Sequence, residues 1–199
     1  MGSVLNVLSE WTADDEQKEL LYERVPSLVL RWINEAQLRH VDRSEILRDI
    51  WEPTVTSTGN VTLPTDFLRE FKDRVKWDEE HYLIQIDYPT AALLDFTSTT
   101  HYSIWESSLY VWTAAAGSPA IPYIKKPAAL TTIATDNLEI PTETHSTLQI
   151  YLDAAFARRN KDFPTHYSLL EQFDSRAAED GRIYRDRRDP VPIIRSSLF

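Results

Sequence analysis

Residues 28–40 read LVLRWINEAQLRH, and this stretch decides the fold class of the chain. Apolar residues recur in it at intervals of three and four, which is the spacing of one face of an α-helix. The stretch therefore predicts an amphipathic helix from about Leu28 to His40 that buries this face in a core. The members of the apolar face are Leu28, Val29, Trp32, Ile33 and Ala36.

Helices are also predicted before and after this stretch. Thr12-Ala13-Asp14-Asp15 resembles a capping box, and the good helix formers of residues 16–24 follow it. Pro26 breaks that helix, and Ser27 can cap the next one. Asp42-Arg43-Ser44-Glu45 is another capping pattern, which predicts a short third helix ending near position 51. The inward residues of this third helix are Ile46, Leu47 and Ile50.

Between residues 61 and 135 the pattern changes to the alternation that is typical of β-strands. Val61 and Leu63 predict a strand, after which Pro64 is expected to open a short helical turn. Residues 102–105 and 109–112 predict a hairpin across Glu106-Ser107-Ser108. We therefore expect a small antiparallel sheet inserted between two groups of helices. The remaining stretches with strand character are 82–88, 120–124 and 130–133.

Two helices are predicted in the last third of the chain. The first begins at residues 141–142 and ends at the basic residues of 158–161, which suit the negative end of a helix dipole. The second covers residues 164–179, and Gly181 is expected to close it. The inward residues of the two helices are Leu148, Tyr151, Leu152, Ala155, Phe156, Leu169, Leu170, Phe173 and Ala177.

The segment 181–199 differs in kind from the rest of the chain. Pro190 and Pro192 prevent a regular helix, and five arginines accompany two aspartates in an otherwise acidic protein. The end of the segment is apolar, whereas disordered tails are usually polar. We interpret it as an extended arm that orders on a partner, rather than as a frayed tail. The predicted contact residues are Arg182, Tyr184, Arg185, Arg187, Arg188, Ile193, Ile194, Arg195, Leu198 and Phe199.

Together these patterns predict an α+β fold with a mainly helical core. The expected body is a single domain of residues 1–180, in which helices at about 12–51 pack with helices at 141–180. A small antiparallel β insertion covers about 61–135, and residues 181–199 form the extended C-terminal arm.

The residue supply argues against the commonest catalytic and cofactor sites. The four glycines lie too far apart for a phosphate-binding loop, and the absence of cysteine removes thiolate chemistry. The five histidines form no metal-ligand pair and are expected at the surface or as caps. Asp78-Glu79-Glu80 lacks the spacing of a calcium loop and predicts a solvated turn. We predict no catalytic, cofactor-binding or metal-binding residue, a protein that is not an enzyme, and six tryptophans in the core or in subunit interfaces.

The charge balance indicates which partners the protein can have. The sequence carries 31 acidic and 21 basic residues, a net charge of −10 at pH 7. A protein that binds DNA tightly needs a basic face, so we expect an acidic surface that repels DNA rather than binding it. A run of about 18 apolar residues is missing, which argues against a membrane partner. The lack of cysteine fits synthesis in a reducing cytoplasm.

Three stretches resemble the gp6-like head-to-tail connector, or adaptor, proteins of tailed bacteriophages. They are WINEAQ at residues 32–37, LPTDFL at 63–68, and YIKKPAALT at 123–131, which is followed by LEIP at 138–141. In that family the last strand leads into a helix rich in alanine and aliphatic residues. The ordered set covers about two-thirds of the chain. Many members carry a glycine in the hairpin, where this chain has Glu106-Ser107-Ser108.

The resemblance implies a virion protein of the phage neck that surrounds the DNA exit channel. Such subunits assemble as a ring, usually of twelve, that docks beneath the portal protein through C-terminal extensions. The ring binds a stopper, nozzle or tail protein on its other side, and DNA passes through its lumen without specific binding. The alternative, from a different class, is a non-catalytic cytosolic scaffold or regulatory protein-binding module.

Overall fold

The computed structural model describes residues 2–56, 59–71, 75–77, 81–91, 101–113 and 116–188. The chain divides into two compact units. The helical unit comprises residues 1–47 and 127–199, and the sheet unit comprises residues 48–126. The α+β fold class is confirmed. The organisation as a single domain stays a prediction.

The described residues form six α-helices and nine short strands. In chain order the helices are α1 (Val4–Thr12), α2 (Glu16–Arg24), α3 (Pro26–Ser44), α4 (Tyr88–Ala91), α5 (His145–Arg159) and α6 (Phe163–Arg188). The strands are β1 (Gly2–Ser3), β2 (Arg48–Trp51), β3 (Gly59–Thr62), β4 (Phe67–Glu70), β5 (Ile84–Gln85), β6 (His101–Trp105), β7 (Ser108–Trp112), β8 (Ile121–Lys125) and β9 (Asn137–Leu138).

Helix α3 confirms the pattern on which the fold prediction rests. Val29, Trp32, Ile33 and Ala36 are buried, so the predicted face does enter the core. The helix starts one residue before the predicted cap because Pro26 itself occupies the first turn, where its missing N–H costs nothing.

The start of α2 is confirmed, but its cap is not the predicted one. The Asp15 carboxylate accepts hydrogen bonds from the backbone N–H groups of Gln17 and Lys18 at 3.0 and 3.2 Å. Thr12 instead ends α1, and its hydroxyl donates to the carbonyl of Leu8. The capping box was therefore placed three residues too early, because α1 itself was not predicted.

The third N-terminal helix predicted at about residues 42–51 is wrong. Helix α3 continues to Ser44, and Glu45 then adopts a left-handed conformation (φ 56°) that ends it. The next residues form β2, whose four residues pair antiparallel with β8, so pairing with a distant strand overrides the local capping pattern. Ile50, predicted to face inward, is 61% exposed.

The sheet unit contains a three-stranded sheet in the order β2-β8-β4 and a four-stranded sheet in the order β3-β7-β6-β5. The predicted hairpin is confirmed as β6 and β7, joined at Glu106 and Ser107. Pairing is antiparallel throughout these two sheets except between β5 and β6, which are parallel. The buried residues of this unit's core are Val55, Val75, Leu83, Tyr102, Leu109, Val111 and Ile121.

Three strand predictions need correction. A turn does follow Pro64, with the Phe67 N–H donating to the Pro64 carbonyl at 3.0 Å, but it does not continue as a helix because β4 begins at Phe67 and pairs with β8. Within 82–88 only Ile84–Gln85 is strand, and Tyr88 begins α4. Residues 130–133 form no strand, because the side chain of Asn34 binds both the N–H and the carbonyl of Leu130 and takes the place of a neighbouring strand.

The two C-terminal helices are confirmed in position. A 3-10 turn at Thr142–Thr144 precedes α5, whose residues Leu148 and Leu152 are fully buried. Arg158 and Arg159 occupy its last turn, as predicted. On α6, Phe173 and Ala177 are fully buried.

Candidate partner-binding site

The predicted partner-binding residues begin near the end of α6. The helix does not stop at Gly181 but continues to Arg188, so residues 181–188 are helical rather than an extended arm. Gly181 does not adopt a positive φ, as a helix-ending glycine would. It is buried, and a Cβ at this position would overlap the backbone carbonyl of Ser44. The glycine therefore permits close contact between α6 and the end of α3.

Two of the predicted contact residues bind the helical unit itself. The Tyr184 hydroxyl donates to the carboxylate of Glu143 at 2.9 Å. The guanidinium of Arg185 lies 3.4 Å from the carboxylate of Glu45. Both contacts hold the last turns of α6 against neighbouring segments, whereas Arg182 is exposed.

The other predicted contact residues are only partly covered by the structure. Arg187 and Arg188 belong to the last turn of α6. The remaining five lie outside the described residues, so their role stays a prediction. They are Ile193, Ile194, Arg195, Leu198 and Phe199.

A buried polar cluster fixes the position of α6, and sequence reasoning missed it. Asp180 accepts a hydrogen bond from the Thr147 hydroxyl at 2.7 Å, and the same carboxylate oxygen lies 3.0 Å from His40 Nε2. These three residues, the Asp180 cluster, join α3, α5 and α6, and each is at most 6% exposed. Periodicity was the available signal, since His40 follows Ala36 by four positions and Asp180 follows Ala177 by three.

Ser44, His40 and Asp180 together resemble the residue set of a hydrolase triad. Ser44 Oγ lies 3.4 Å from His40 Nδ1, and His40 Nε2 faces the carboxylate. However, Ser44 is 1% exposed and His40 is fully buried, so a substrate has no route to the serine. A catalytic serine must be reachable by its substrate. We therefore interpret this arrangement as part of the packing of α3 against α6.

The prediction that histidines lie at the surface or as caps is wrong for His40 and His166, whereas His145 is buried but does cap the 3-10 turn that precedes α5. His40, His145 and His166 are all at most 9% exposed. Burial lowers the pKa of His145 below its ordinary value.

Among the described residues, histidine and carboxylate side chains form no group of three that could hold a metal ion. None of the helices in the described part of the chain is long and apolar enough to cross a membrane. The Asp78-Glu79-Glu80 stretch lies outside the described residues.

In the sheet unit, four aromatic side chains form a cluster on the face of β6 and β7 that points away from the core. The ring of Tyr88 lies 4.4 Å from Tyr110, 5.7 Å from Trp105 and 6.2 Å from Trp112, measured between centroids. Strand alternation places Tyr110 and Trp112 opposite to the buried Leu109 and Val111. Trp105 is 43% exposed, whereas Trp32 of the helical unit is 6% exposed.

The sheet unit also contains a half-buried carboxyl group whose pKa is raised, that of Glu70. Glu70 accepts hydrogen bonds from the Tyr102 hydroxyl and, at 3.1 Å, from the amide of Gln85. Burial raises the pKa of the Glu70 carboxyl above its ordinary value, and the hydrogen bond from Tyr102 partly offsets this rise. Burial and the neighbouring carboxylate raise the pKa of Tyr102 as well, so the hydroxyl stays a donor.

Comparison with known proteins identifies the family. The model of the SU10 adaptor protein family matches residues 1–195, which include both units and α6. This chain belongs to the SU10 adaptor protein family. The resemblance to phage adaptor proteins is thereby confirmed at the level of an adaptor family, while the narrower gp6-like assignment remains a prediction. No curated protein matches the chain.

Membership of the SU10 adaptor family makes this protein a structural component of a bacteriophage virion. Adaptors interact with other head and tail proteins, so the residues that bind these partners must lie at the surface. Arg182 and the aromatic residue Trp105 of the sheet unit are exposed, and whether either contacts a partner stays a prediction.

Proposed function

We propose that this protein is a head-to-tail adaptor, one subunit of a ring that lies beneath the portal in the neck of a tailed phage. The ring would link the portal to a stopper, nozzle or tail protein and surround the DNA exit channel. The family match over residues 1–195 is the observation that supports this proposal, because it covers nearly the whole chain. A ring is the expected form for a subunit that binds the next copy through two different surfaces.

The charge supports a passive role toward DNA. Each subunit carries a net charge of −10, and a ring repeats that charge at every subunit. Phosphates are repelled by such a surface, so DNA passes through the lumen without specific binding. The function proposed is therefore one of assembly, without turnover.

The segment that we propose to dock on the portal is shorter than the sequence suggested. Tyr184 and Arg185 bind Glu143 and Glu45, so their side chains hold α6 in place. The portal-binding segment is then residues 186–199, with the exposed Arg182 beside it. The large apolar residues near its end supply most of the affinity in this proposal, because burial of such side chains outweighs exposed charge contacts.

Two nested truncations of the phage gene test the proposal. Removal of residues 189–199 leaves every described contact of α6 intact, whereas removal of 182–199 also deletes the contacts of Tyr184 and Arg185. We expect the shorter truncation to yield a folded protein, and packaged heads without tails. Normal tailed particles from that truncation would contradict the docking role, and normal particles from a gene deletion would contradict the adaptor function as a whole.

A further inference from the structure

The helical unit contains a groove whose charge is opposite to that of the protein. It has a volume of about 460 Å³ and lies between α3, α5 and α6. Four arginines line it, against a single acidic side chain, Glu35. Arg158 and Arg159 suit the negative end of the α5 dipole and Arg39 is paired with Asp174, but the grouping of four arginines still reverses the charge locally in a chain of net charge −10. The four arginines are Arg31, Arg39, Arg158 and Arg159.

The arginines differ in how far they are already bound. Arg39 is held by Asp174 through two hydrogen bonds of 2.8 Å, and Arg31 lies 3.4 Å from Glu35 in an exposed pair. Arg158 and Arg159 are exposed in the last turn of α5. Within the described part of the chain, neither of these two has an ion-pair partner. The groove therefore offers two available guanidinium groups beside one that is fixed in position.

The wall of the groove is partly apolar. Leu28 and Trp32 come from α3, Ala155 from α5 and Leu170 from α6. These residues surround a space large enough for one or two side chains of a ligand. A ligand that satisfies the whole groove must therefore carry both carboxylates and an apolar side chain.

We propose that this groove binds an acidic peptide segment of a partner protein, with a large apolar side chain in the groove and carboxylates on Arg158 and Arg159. Guanidinium groups bind carboxylates with bidentate geometry, and an apolar anchor adds the affinity that exposed ion pairs lack. Duplex DNA fits less well, because the groove is concave and places Glu35 among the cations. The inference rests on the proposed adaptor role only for the source of the peptide, since an adaptor must bind proteins on both of its sides.

Fluorescence anisotropy with a short labelled probe tests the groove on the intact purified protein. The probe is a peptide in which glutamate and aspartate alternate with leucine, and its control has glutamine and asparagine in place of the acids. A labelled DNA duplex is the third probe. We expect saturable binding of the acidic peptide that weakens as salt is added.

A matched pair of charge reversals locates the binding. Arg158→Glu lies in the groove at the end of α5, and Arg176→Glu lies outside it on α6, so both reverse one exposed charge on a helix. We expect Arg158→Glu to weaken peptide binding about tenfold, the effect of one lost charge-assisted contact, and Arg176→Glu to change it by less than about twofold. Arg158→Gln should cause an intermediate loss of peptide affinity. This variant keeps the test valid if Arg158→Glu impairs folding.

Several results would overturn the proposal. They are no binding by the wild-type protein, equal affinity for the neutral control peptide, tighter binding of the DNA duplex, or equal effects of Arg158→Glu and Arg176→Glu. None of these results bears on ring formation or on portal docking. A failed groove can therefore be told apart from a failed adaptor assignment.

Discussion

The helical unit and the sheet unit both bury apolar side chains, but they differ in the polar groups that they bury. In the helical unit, His40, Thr147 and Asp180 form a hydrogen-bonded cluster deep between three helices. The core of the sheet unit is instead an apolar cluster around Leu109 and Ile121. Directional polar contacts select one arrangement of helices, whereas apolar burial supplies stability with less specificity. The helical unit should therefore be the more sensitive to single polar substitutions.

The largest effects are expected from truncations in the two cores. Trp32→Ala removes a side chain that is 6% exposed and should lower the free energy of unfolding by about 3–5 kcal/mol. Leu109→Ala, in the sheet unit, should cost about 2–5 kcal/mol. Denaturant unfolding followed by circular dichroism measures both losses. Wild-type stability of the Trp32 variant would contradict the assigned role of the α3 face.

The Asp180 cluster provides the next test of the comparison. Asp180→Ala leaves His40 Nε2 and the Thr147 hydroxyl without this partner, and each orphaned group should cost about 1–3 kcal/mol. Asp174→Ala, on the same helix, removes a part-exposed pair with Arg39 and should cost no more than about 1 kcal/mol. Thermal unfolding compares the two variants. Equal losses would mean that the buried cluster does not fix α6.

Two carboxyl groups, Asp174 in the helical unit and Glu70 in the sheet unit, should contribute to the pH dependence of stability with opposite signs. Hydrogen bonds from Arg39 lower the pKa of Asp174 below 3.8, so its stabilising contribution is present above that pH and is lost on acidification. Burial raises the pKa of Glu70 above 4.5, so the folded state holds the proton more tightly than the unfolded state. Its contribution is present below pH 4.5 and is lost as the pH rises through the folded pKa.

Isosteric variants separate these two contributions. Asp174→Asn should flatten the loss of stability at acid pH, and Glu70→Gln should flatten the loss as the pH rises above 4.5. Thermal midpoints measured across the acid range detect both changes. A Glu70→Gln variant that loses stability in parallel with the wild type would show that Glu70 does not titrate in this way.

The smallest effect is expected on the outer face of the sheet unit. Trp105 is 43% exposed and stacks on Tyr88 at 5.7 Å, so Trp105→Ala should cost only about 1 kcal/mol. Denaturant unfolding of Trp105→Ala and of Leu109→Ala, measured in parallel, compares the two losses of stability. A loss as large as that of Leu109→Ala would mean that the aromatic cluster is part of the core.

The sequence predicted the elements whose pattern is local. Helices α2, α3, α5 and α6 and the β6–β7 hairpin were placed correctly, because their apolar periodicity survives without tertiary context. The N-terminal α1 was missed. Strands β2 and β4 were predicted as helix and turn, since their form depends on pairing with β8, which lies more than fifty positions away.

The candidate site was harder to predict because its residues act through contacts. Gly181 has the sequence position of a helix-ending glycine, yet its role is to let α6 approach Ser44. Tyr184 and Arg185 look available for a partner, but Glu143 and Glu45, from distant parts of the sequence, bind them. The three stretches that resemble phage adaptors, and their order, were sufficient to suggest an adaptor family, whereas the roles of these residues required the packed structure.

Mass photometry of the purified protein mixed with its portal tests directly whether this chain binds the portal. If the protein binds as an adaptor, we expect a discrete complex that is heavier than the portal ring by a fixed whole number of 23.1 kDa subunits. Removal of residues 189–199 should abolish that complex while the protein alone stays folded. A portal whose mass does not change in the presence of excess protein would contradict the proposal that this chain is a portal-bound adaptor.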